Sequence, residues 1–372
     1  MTTLGMVLLH AGSADGASPA EPQHGRDIEC LLYGAMTGRI LVTGGLGFIG
    51  SEFIRQSSSY GVGVLNVDAF TYAADPHRLL PLDDGGPELV RGDVSEPRIS
   101  DVVIAERPSV IVHFAAETHV TRSEVAAERF WATNVDGTRC VLEAAEKANV
   151  GLVVHVSTDE VYGPCAGAPF MESEKAPGEG RATSVYARSK ALADDVALDF
   201  AARIPVIVVR PTNCLGPWQH PEKAVSRWIT RALGGSRLPV WGDGEQVRDW
   251  MHVSDAVSAV RLVIGEGVPG ETYNIGPAGD QISNLTMARK IAAAAGRHPD
   301  AVYLSAYDRP RHDRRYAVDT TKLRDLGWSP RHDIDSAIAD TVEWYRANEA
   351  WWKRRLDEAE ALYRDDEARD EE

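Results

Sequence analysis

Two neighbouring acids, Asp159 and Glu160, follow a threonine in the run Ser157-Thr158-Asp-Glu-Val-Tyr-Gly163. Adjacent carboxylates repel each other, which raises one pKa and leaves a protonated acid beside an ionised base. That combination suits loss of water: one group protonates a departing hydroxyl while the other removes a proton from carbon. Further along the chain stands Tyr186-Ala-Arg-Ser-Lys190. Residues four apart share a helix face, so the ammonium lies beside the phenol. A neighbouring positive charge lowers a tyrosine pKa toward working pH, as a general base requires. Thr158 offers a hydroxyl to an oxygen undergoing oxidation.

A third cluster is Thr43-Gly44-Gly45-Leu46-Gly47-Phe48-Ile49-Gly50. Glycines at 44, 47 and 50, after an apolar run and at the opening of a helix, let the backbone approach a pyrophosphate at the helix N-terminus. Asp68 ends the next apolar run and is placed to accept from a ribose 2′-hydroxyl. A carboxylate there repels a 2′-phosphate, so the pattern favours NAD over NADP. An oxidised nicotinamide would add its charge to that of Lys190 beside Tyr186. Asp93, at the end of a third run, could accept from the adenine amine or simply cap its strand. Asn134, after Phe130-Trp131-Ala-Thr133, either holds the nicotinamide side of the site or supports a helix start.

These groups need a frame. Short runs rich in Val and Ile begin at Arg39 and recur at Gly63–Asp68, Glu88–Asp93, Val110–Ala116, Leu152–Val156 and Pro205–Val209, most of them separated by helical stretches. Ala126–Ala148 and Ser184–Arg203 are the longest helical candidates. Strands alternating with helices predict an α/β fold: a Rossmann, doubly wound parallel sheet over residues 39–210. After Pro211, Pro- and Gly-rich joints predict a smaller C-terminal α/β substrate-binding domain over 211–346, interleaved with the first. Residues 1–38 read as a disordered extension or as sequence upstream of a start near Met36. Residues 347–372 read as an acidic, solvated tail.

The 372 residues are 44% hydrophobic and 25% charged, with a formal charge of −16. That balance excludes a basic nucleic-acid-binding face, and no apolar run is long enough for a membrane span. The four cysteines, Cys30, Cys140, Cys165 and Cys214, lack metal-ligand spacing and predict free thiols in the cytoplasm. His119, His220, His252 and His312 show no ligand spacing either, so no metal is predicted.

Together these motifs resemble the extended short-chain dehydrogenase/reductase family and, within it, the dTDP-glucose 4,6-dehydratases, from Arg39 to about Tyr345. The Asp-Glu pair is the most specific match, because epimerases and decarboxylases of the superfamily usually lack it. Val67–Tyr72, His113–His119, His220–Lys223, Val247–Trp250, Tyr273–Gly276 and Arg309–Tyr316 also match. The resemblance implies a nucleotide-sugar substrate, a tightly held NAD and a homodimer. It implies that Tyr186 takes the C4 hydroxyl proton, that Lys190 orients the cofactor, and that Thr158 hydrogen-bonds the C4 oxygen. Glu160 would then remove the C5 proton as Asp159 protonates the C6 hydroxyl. Phe48, Ile49, Ala115 and Ala116 would join the glycines around the cofactor. Thr118, Asn213, Glu222, Lys223, Pro239, Trp241, His312 and Tyr316 would line the substrate site, with Arg248, Asn274 and Arg309 on the diphosphate.

Three segments depart from the family pattern: Val120-Thr-Arg-Ser123, Asn213-Cys-Leu-Gly-Pro217 and Trp241. They leave open a UDP-linked or N-acetylated sugar, or a different regiochemistry. An epimerase or decarboxylase would not need the acidic pair. A silent NAD-sensing scaffold would not need Tyr186, Lys190 and both acids intact.

Overall fold

The Val- and Ile-rich runs fold as strands of one parallel sheet in a computed structural model that describes residues 38–80, 86–176, 178–277, 279, 281–308 and 311–363. The strands are β1 (Ile40–Thr43), β2 (Val64–Asp68), β3 (Glu88–Arg91), β4 (Val110–His113), β5 (Leu152–Val156), β6 (Val206–Pro211) and β7 (Thr272–Ile275). Their order is β7-β6-β5-β4-β1-β2-β3, with every pairing parallel. The chain winds outward from β1 on one side and from β4 on the other. The crevice at this switch point, above the carboxyl ends of the strands, is where such sheets bind ligands.

Helices α1 (Phe48–Ser59), α2 (Arg98–Glu106), α3 (Gly137–Ala148), α4 (Val185–Phe200), α5 (Ala224–Leu233), α6 (Val253–Glu266), α7 (Asn284–Ala294), α8 (Ile334–Ala347) and α9 (Glu349–Ala361) complete the frame. Every residue of β1, β2, β4 and β6 is buried, which explains their unbroken apolar character. One face is covered by Phe53 and Ile54 of α1 with Val257, Val260 and Val263 of α6. The other is covered by Ile99 and Val103 of α2, Val141 and Leu142 of α3, and Val196 and Phe200 of α4.

The stretch Ala126–Ala148 is not one regular helix. A short helix, Ala127–Phe130, passes through a π-helical turn, Trp131–Asp136, into α3. Such turns mark places where a side chain is re-aimed, and here Asn134 is turned fully inward. Beyond β6 the chain builds a second layer and then returns, because β7 pairs with β6 and α6 packs on the sheet. The second layer pairs Leu238–Trp241 with Val302–Ser305, Val247–Arg248 with Ile282–Ser283, and Asn213–Leu215 with Trp250–His252. Its core joins Trp228 and Ile229 of α5, Met287 and Ile291 of α7, Ile338 and Tyr345 of α8, and Trp351 and Trp352 of α9.

That last helix corrects the reading of 347–372 as a solvated tail. Most of its charges are exposed, but Arg355 and Glu360 pair inward with Asp75 and Arg227, and Trp351, Trp352, Ala359 and Tyr363 are buried. Trp352 Nε1 donates to the Tyr345 carbonyl at 2.8 Å. The extension proposed for 1–38, apart from Gly38, and the end of the tail from 364 lie outside the described residues. Among the described residues no helix is long and apolar enough to cross a membrane.

Trp352→Ala should therefore destabilise the protein by about 3–5 kcal/mol, the usual result of emptying a buried aromatic site. Urea unfolding checks this, and a change under ~0.5 kcal/mol, the surface value, would return the helix to the status of a tail.

Candidate active site

The glycine loop closes over the end of β1. Gly44 has φ 71°, and a Cβ there would lie 2.7 Å from Ala115 Cα. A Cβ on Gly50 would lie 2.5 Å from the Gly44 carbonyl oxygen. Only glycine permits either approach. Helix α1 starts directly after Gly47 without a side-chain cap, leaving its first N–H groups for an anion. These features fit a dinucleotide diphosphate. Phe48, Ile49, Ala115 and Ala116 line the same cleft.

Asp68, buried at the end of β2, lines the cleft as well. Its two oxygens accept from Leu46 N and Phe70 N, each at 2.9 Å, so it also fixes the glycine loop. Burial raises its pKa against the pull of those bonds. Asp93 borders the cleft while capping the turn at Ser95, whose N–H and hydroxyl donate at 2.9 and 2.7 Å. Asn134 does not face the cleft. Its Oδ1 accepts from Glu117 N at 2.9 Å, and its Nδ2 donates to the Glu117 carbonyl and to Ser189 Oγ. It braces the segment after β4 against α4, which decides between the two roles open to it in favour of support.

The carboxyl end of β5 meets α4 at the chemical centre. Thr158 caps a tight turn, Asp159–Tyr162, its Oγ1 accepting from Glu160 N at 3.3 Å. The turn sets Glu160 in the cleft wall with Thr158, Tyr186 and Lys190. Ser184 caps α4 by accepting from Ala187 N at 3.0 Å. Lys190 Nζ, one turn beyond Tyr186, donates to the Val156 carbonyl at 2.9 Å and so ties helix to strand. Burial lowers its pKa to about 8.

Tyr186 behaves differently from the expectation drawn from its spacing to Lys190. Its pKa is raised, first by burial and then by Glu160, against the opposing hydrogen bond with Thr158. Burial and the Glu160 carboxylate set that direction, and one N–H of the Lys190 ammonium is engaged by the Val156 carbonyl.

Asp159 is only 2% exposed. One carboxyl oxygen makes a 3.3 Å contact with Thr158 Oγ1, and the other has no hydrogen-bond partner among the described residues. Burial raises its pKa to about 8, with Glu160 and Asp249 adding to the effect and Arg248 opposing it. Asp159 is thus protonated at neutral pH.

A second cleft adjoins the first and shares Thr118, Glu160, Asn213, Glu222 and Lys223 with it. Lys223 Nζ donates to the Thr118 carbonyl at 3.0 Å. Glu222 is buried against Tyr72, whose hydroxyl donates at 2.9 Å. The buried Oδ1 of Asn213 has no partner among the described residues. Pro239, Trp241, Arg248, His312 and Tyr316 line the far wall. Arg248 lies 4.3 Å over the Tyr316 ring and donates to the carbonyls of Val247 and Asp313. His312 bonds Asp308 at 2.8 Å.

Asn274 is not in this wall. Its Oδ1 accepts from the Tyr162 hydroxyl at 2.7 Å, and its Nδ2 donates to Phe170 and Asp319 carbonyls at 3.0 Å, so its amide is fully committed in the interior. Asn284, at the start of α7, lines the cleft instead. Arg309 lies outside the described residues. Sequence reasoning also missed Trp228, Trp250 and Tyr363 as wall residues. Nothing local distinguishes them; Tyr363 is a lone aromatic in an acidic run. Among the described residues, no cluster of three or more His, Cys, Asp or Glu could hold a metal.

Known proteins match this arrangement. The profile of the NAD dependent epimerase/dehydratase family aligns with residues 40–276. A dTDP-glucose 4,6-dehydratase of Streptomyces niveus is 44% identical over 326 residues, covering 85% of this chain and 95% of the relative. Another, from Mycolicibacterium smegmatis, is 42% identical over 339 residues, 88% of this chain and 99% of the relative. A crystal structure of a dTDP-glucose 4,6-dehydratase from Streptomyces venezuelae, with NAD bound, superposes with TM-score 0.79 at 39% identity, covering 85% of this chain and 99% of that one.

The raised pKa of Asp159 has a consequence for stability. The folded state holds a proton that the unfolded state releases above about pH 4. Stability from this group is therefore complete below pH 4 and declines as pH climbs toward about 8. Asp159→Asn has no such proton to lose, so its stability relative to the native chain should grow between pH 5 and pH 8. Denaturant midpoints at the two pH values check this; an unchanged gap would mean that the carboxyl ionises normally.

Proposed function

The chain belongs to the NAD-dependent epimerase/dehydratase family, and from that premise we propose that it is a hydro-lyase converting dTDP-glucose to dTDP-4-keto-6-deoxyglucose. The observation that carries the proposal is an enclosed Asp159, whose pKa burial raises, next to a Glu160 that borders both clefts. An epimerase has no step that uses such a pair.

Bound NAD supplies the hydride acceptor at C4, the hydride donor at C6 and, while oxidised, a positive charge. The glycine loop, Asp68 and Lys190 would hold it. With the cofactor's positive charge added to that of Lys190 to offset burial and Glu160, Tyr186 starts as the phenolate and accepts the proton of the C4 hydroxyl, while Thr158 hydrogen-bonds that oxygen. The C4 ketone acidifies C5. Glu160 takes the C5 proton, Asp159 donates its own to the C6 hydroxyl, and water leaves. Glu160 returns its proton to C5 as C6 is reduced. The sugar has then lost one water, Tyr186 carries one extra proton, and Asp159 lacks one. Thr158, bonded to both, offers the route that resets them.

In the second cleft, Arg248, Lys223 and Asn213 would hold the diphosphate and sugar, a local polar surface that an acidic chain must concentrate. Trp241 and Tyr363, 5.7 Å apart and edge to face, would flank the base. Two further features belong to the same proposal. Free Cys140, Cys165 and Cys214 suit a cytoplasmic setting. The other is a homodimer formed through the helices of one sheet face, as the family resemblance implies.

Incubation with dTDP-glucose should yield a product lighter by one water, with no net accumulation of reduced cofactor. Conversion of UDP-glucose or UDP-N-acetylglucosamine instead would reassign the substrate. Glu160→Gln should oxidise C4 and then stall, lowering turnover by about a hundredfold or more, while reduced-nicotinamide absorbance accumulates. Unimpaired turnover would remove Glu160 from proton abstraction.

A further inference from the structure

Arg78 is among the most deeply buried charged side chains, at 1% exposure, yet it borders the cofactor cleft. Its hydrogen bonds go to main-chain carbonyls alone. Nε donates to Trp218 at 3.1 Å, and Nη1 donates to Leu46 and Ala73, each at 2.6 Å. Three of its five N–H groups are thereby used, and Nη2 has no hydrogen-bond partner among the described residues.

Among the described residues no carboxylate pairs with it directly. Asp75, the acid that acts on it most, has its oxygens taken by other groups. Trp351 Nε1 and Arg355 Nη2 each reach Asp75 Oδ2 at 2.5 Å, and His77 N reaches Oδ1 at 3.0 Å. A guanidinium shut away from water without a counter-charge is unfavourable, and burial pulls its pKa down to about 10. The position is nonetheless fixed from several directions. Arg55 holds the Arg78 carbonyl at 2.7 Å, and Trp218 presents its carbonyl from a left-handed backbone, φ 69°.

The acceptor at 2.6 Å that matters most is Leu46, which sits inside the glycine loop. Arg78 is therefore bonded into the same loop that leaves the N-terminus of α1 uncapped. Two sources of positive potential, a helix N-terminus and a fixed guanidinium, border one cleft in a chain of net charge −16. Arg78 borders the first cleft and not the second, so the anion it serves is the cofactor's rather than the sugar nucleotide's.

We propose that Arg78 is a ligand of the dinucleotide diphosphate, presented through its unpaired guanidinium edge, and that α9 positions it by occupying Asp75. The inference rests on the reading of the first cleft as an NAD site. It matches what the proposed cycle demands, since a cofactor used twice per turnover must not leave between steps.

Binding of ADP, adenosine and dTDP to purified, cofactor-stripped protein, followed by calorimetry, tests it. In Arg78→Met, affinity for ADP and NAD should fall about tenfold to a hundredfold, the equivalent of losing a charged hydrogen bond. Adenosine and dTDP affinities should not move. Arg78→Lys, which keeps the charge, should retain part of the preference for ADP over adenosine. If adenosine weakens as much as ADP in both variants, Arg78 is a brace of the loop and the proposal fails. If dTDP weakens and ADP does not, the anion has been misassigned and the proposal fails equally. A native chain that binds ADP but not dTDP would sink the substrate assignment alone, leaving the Arg78 comparison to stand or fall separately.

Discussion

A carboxyl group buried from solvent, with one oxygen lacking a hydrogen-bond partner among the described residues, cannot carry charge cheaply. Asp159 is in that state, and the neighbouring Glu160 makes ionisation still less favourable. The asymmetry between two adjacent acids is the feature on which the functional account depends. One is enclosed and keeps its proton; the other borders the clefts. Chemistry that must give a proton at one carbon and take one at the next needs that difference in environment, and two equally solvated acids would not provide it.

The fold creates the asymmetry by geometry. β5 ends in the middle of the sheet, between β4 and β6, so the turn that follows it emerges into the switch-point crevice. Two residues of the second layer act on Asp159 electrostatically, Asp249 raising its pKa and Arg248 opposing the rise. Lys190 fastens α4 to the end of β5, so Tyr186 and Thr158 are held by the same contact. A buried chain of bonds backs this arrangement: Arg210 bridges Asp194 and Tyr162, and Tyr162 reaches Asn274 on β7. Polar networks this enclosed specify one arrangement because every partner must be present.

Much of this was legible in the chain itself, where the signal is local. Glycines at 44, 47 and 50 follow from what a backbone must do at a strand-to-helix turn. The spacing of Tyr186 and Lys190 follows from the helix, and the strands follow from runs of Val and Ile. What was not legible depends on packing between distant segments. Asn274 and Asn284 look alike in sequence, but one is consumed by Tyr162 and Phe170 while the other faces the cleft. The acidic composition of the last residues concealed Trp351 and Trp352, which only the second-layer core reveals. The spacing of Tyr186 and Lys190 says nothing of burial or of Glu160, which raise the Tyr186 pKa against the charges of Lys190 and an oxidised nicotinamide. Arg78 carried no signal at all, since its meaning comes from three carbonyls on three separate segments.

The most direct test of the central claim is the protonation state of Asp159 itself. An infrared difference spectrum between the native chain and Asp159→Asn at pH 7 isolates that one carboxyl group. The account predicts a protonated C=O stretch that disappears in the variant and titrates near pH 8. A carboxylate band in its place, titrating near the ordinary value for aspartate, would contradict it.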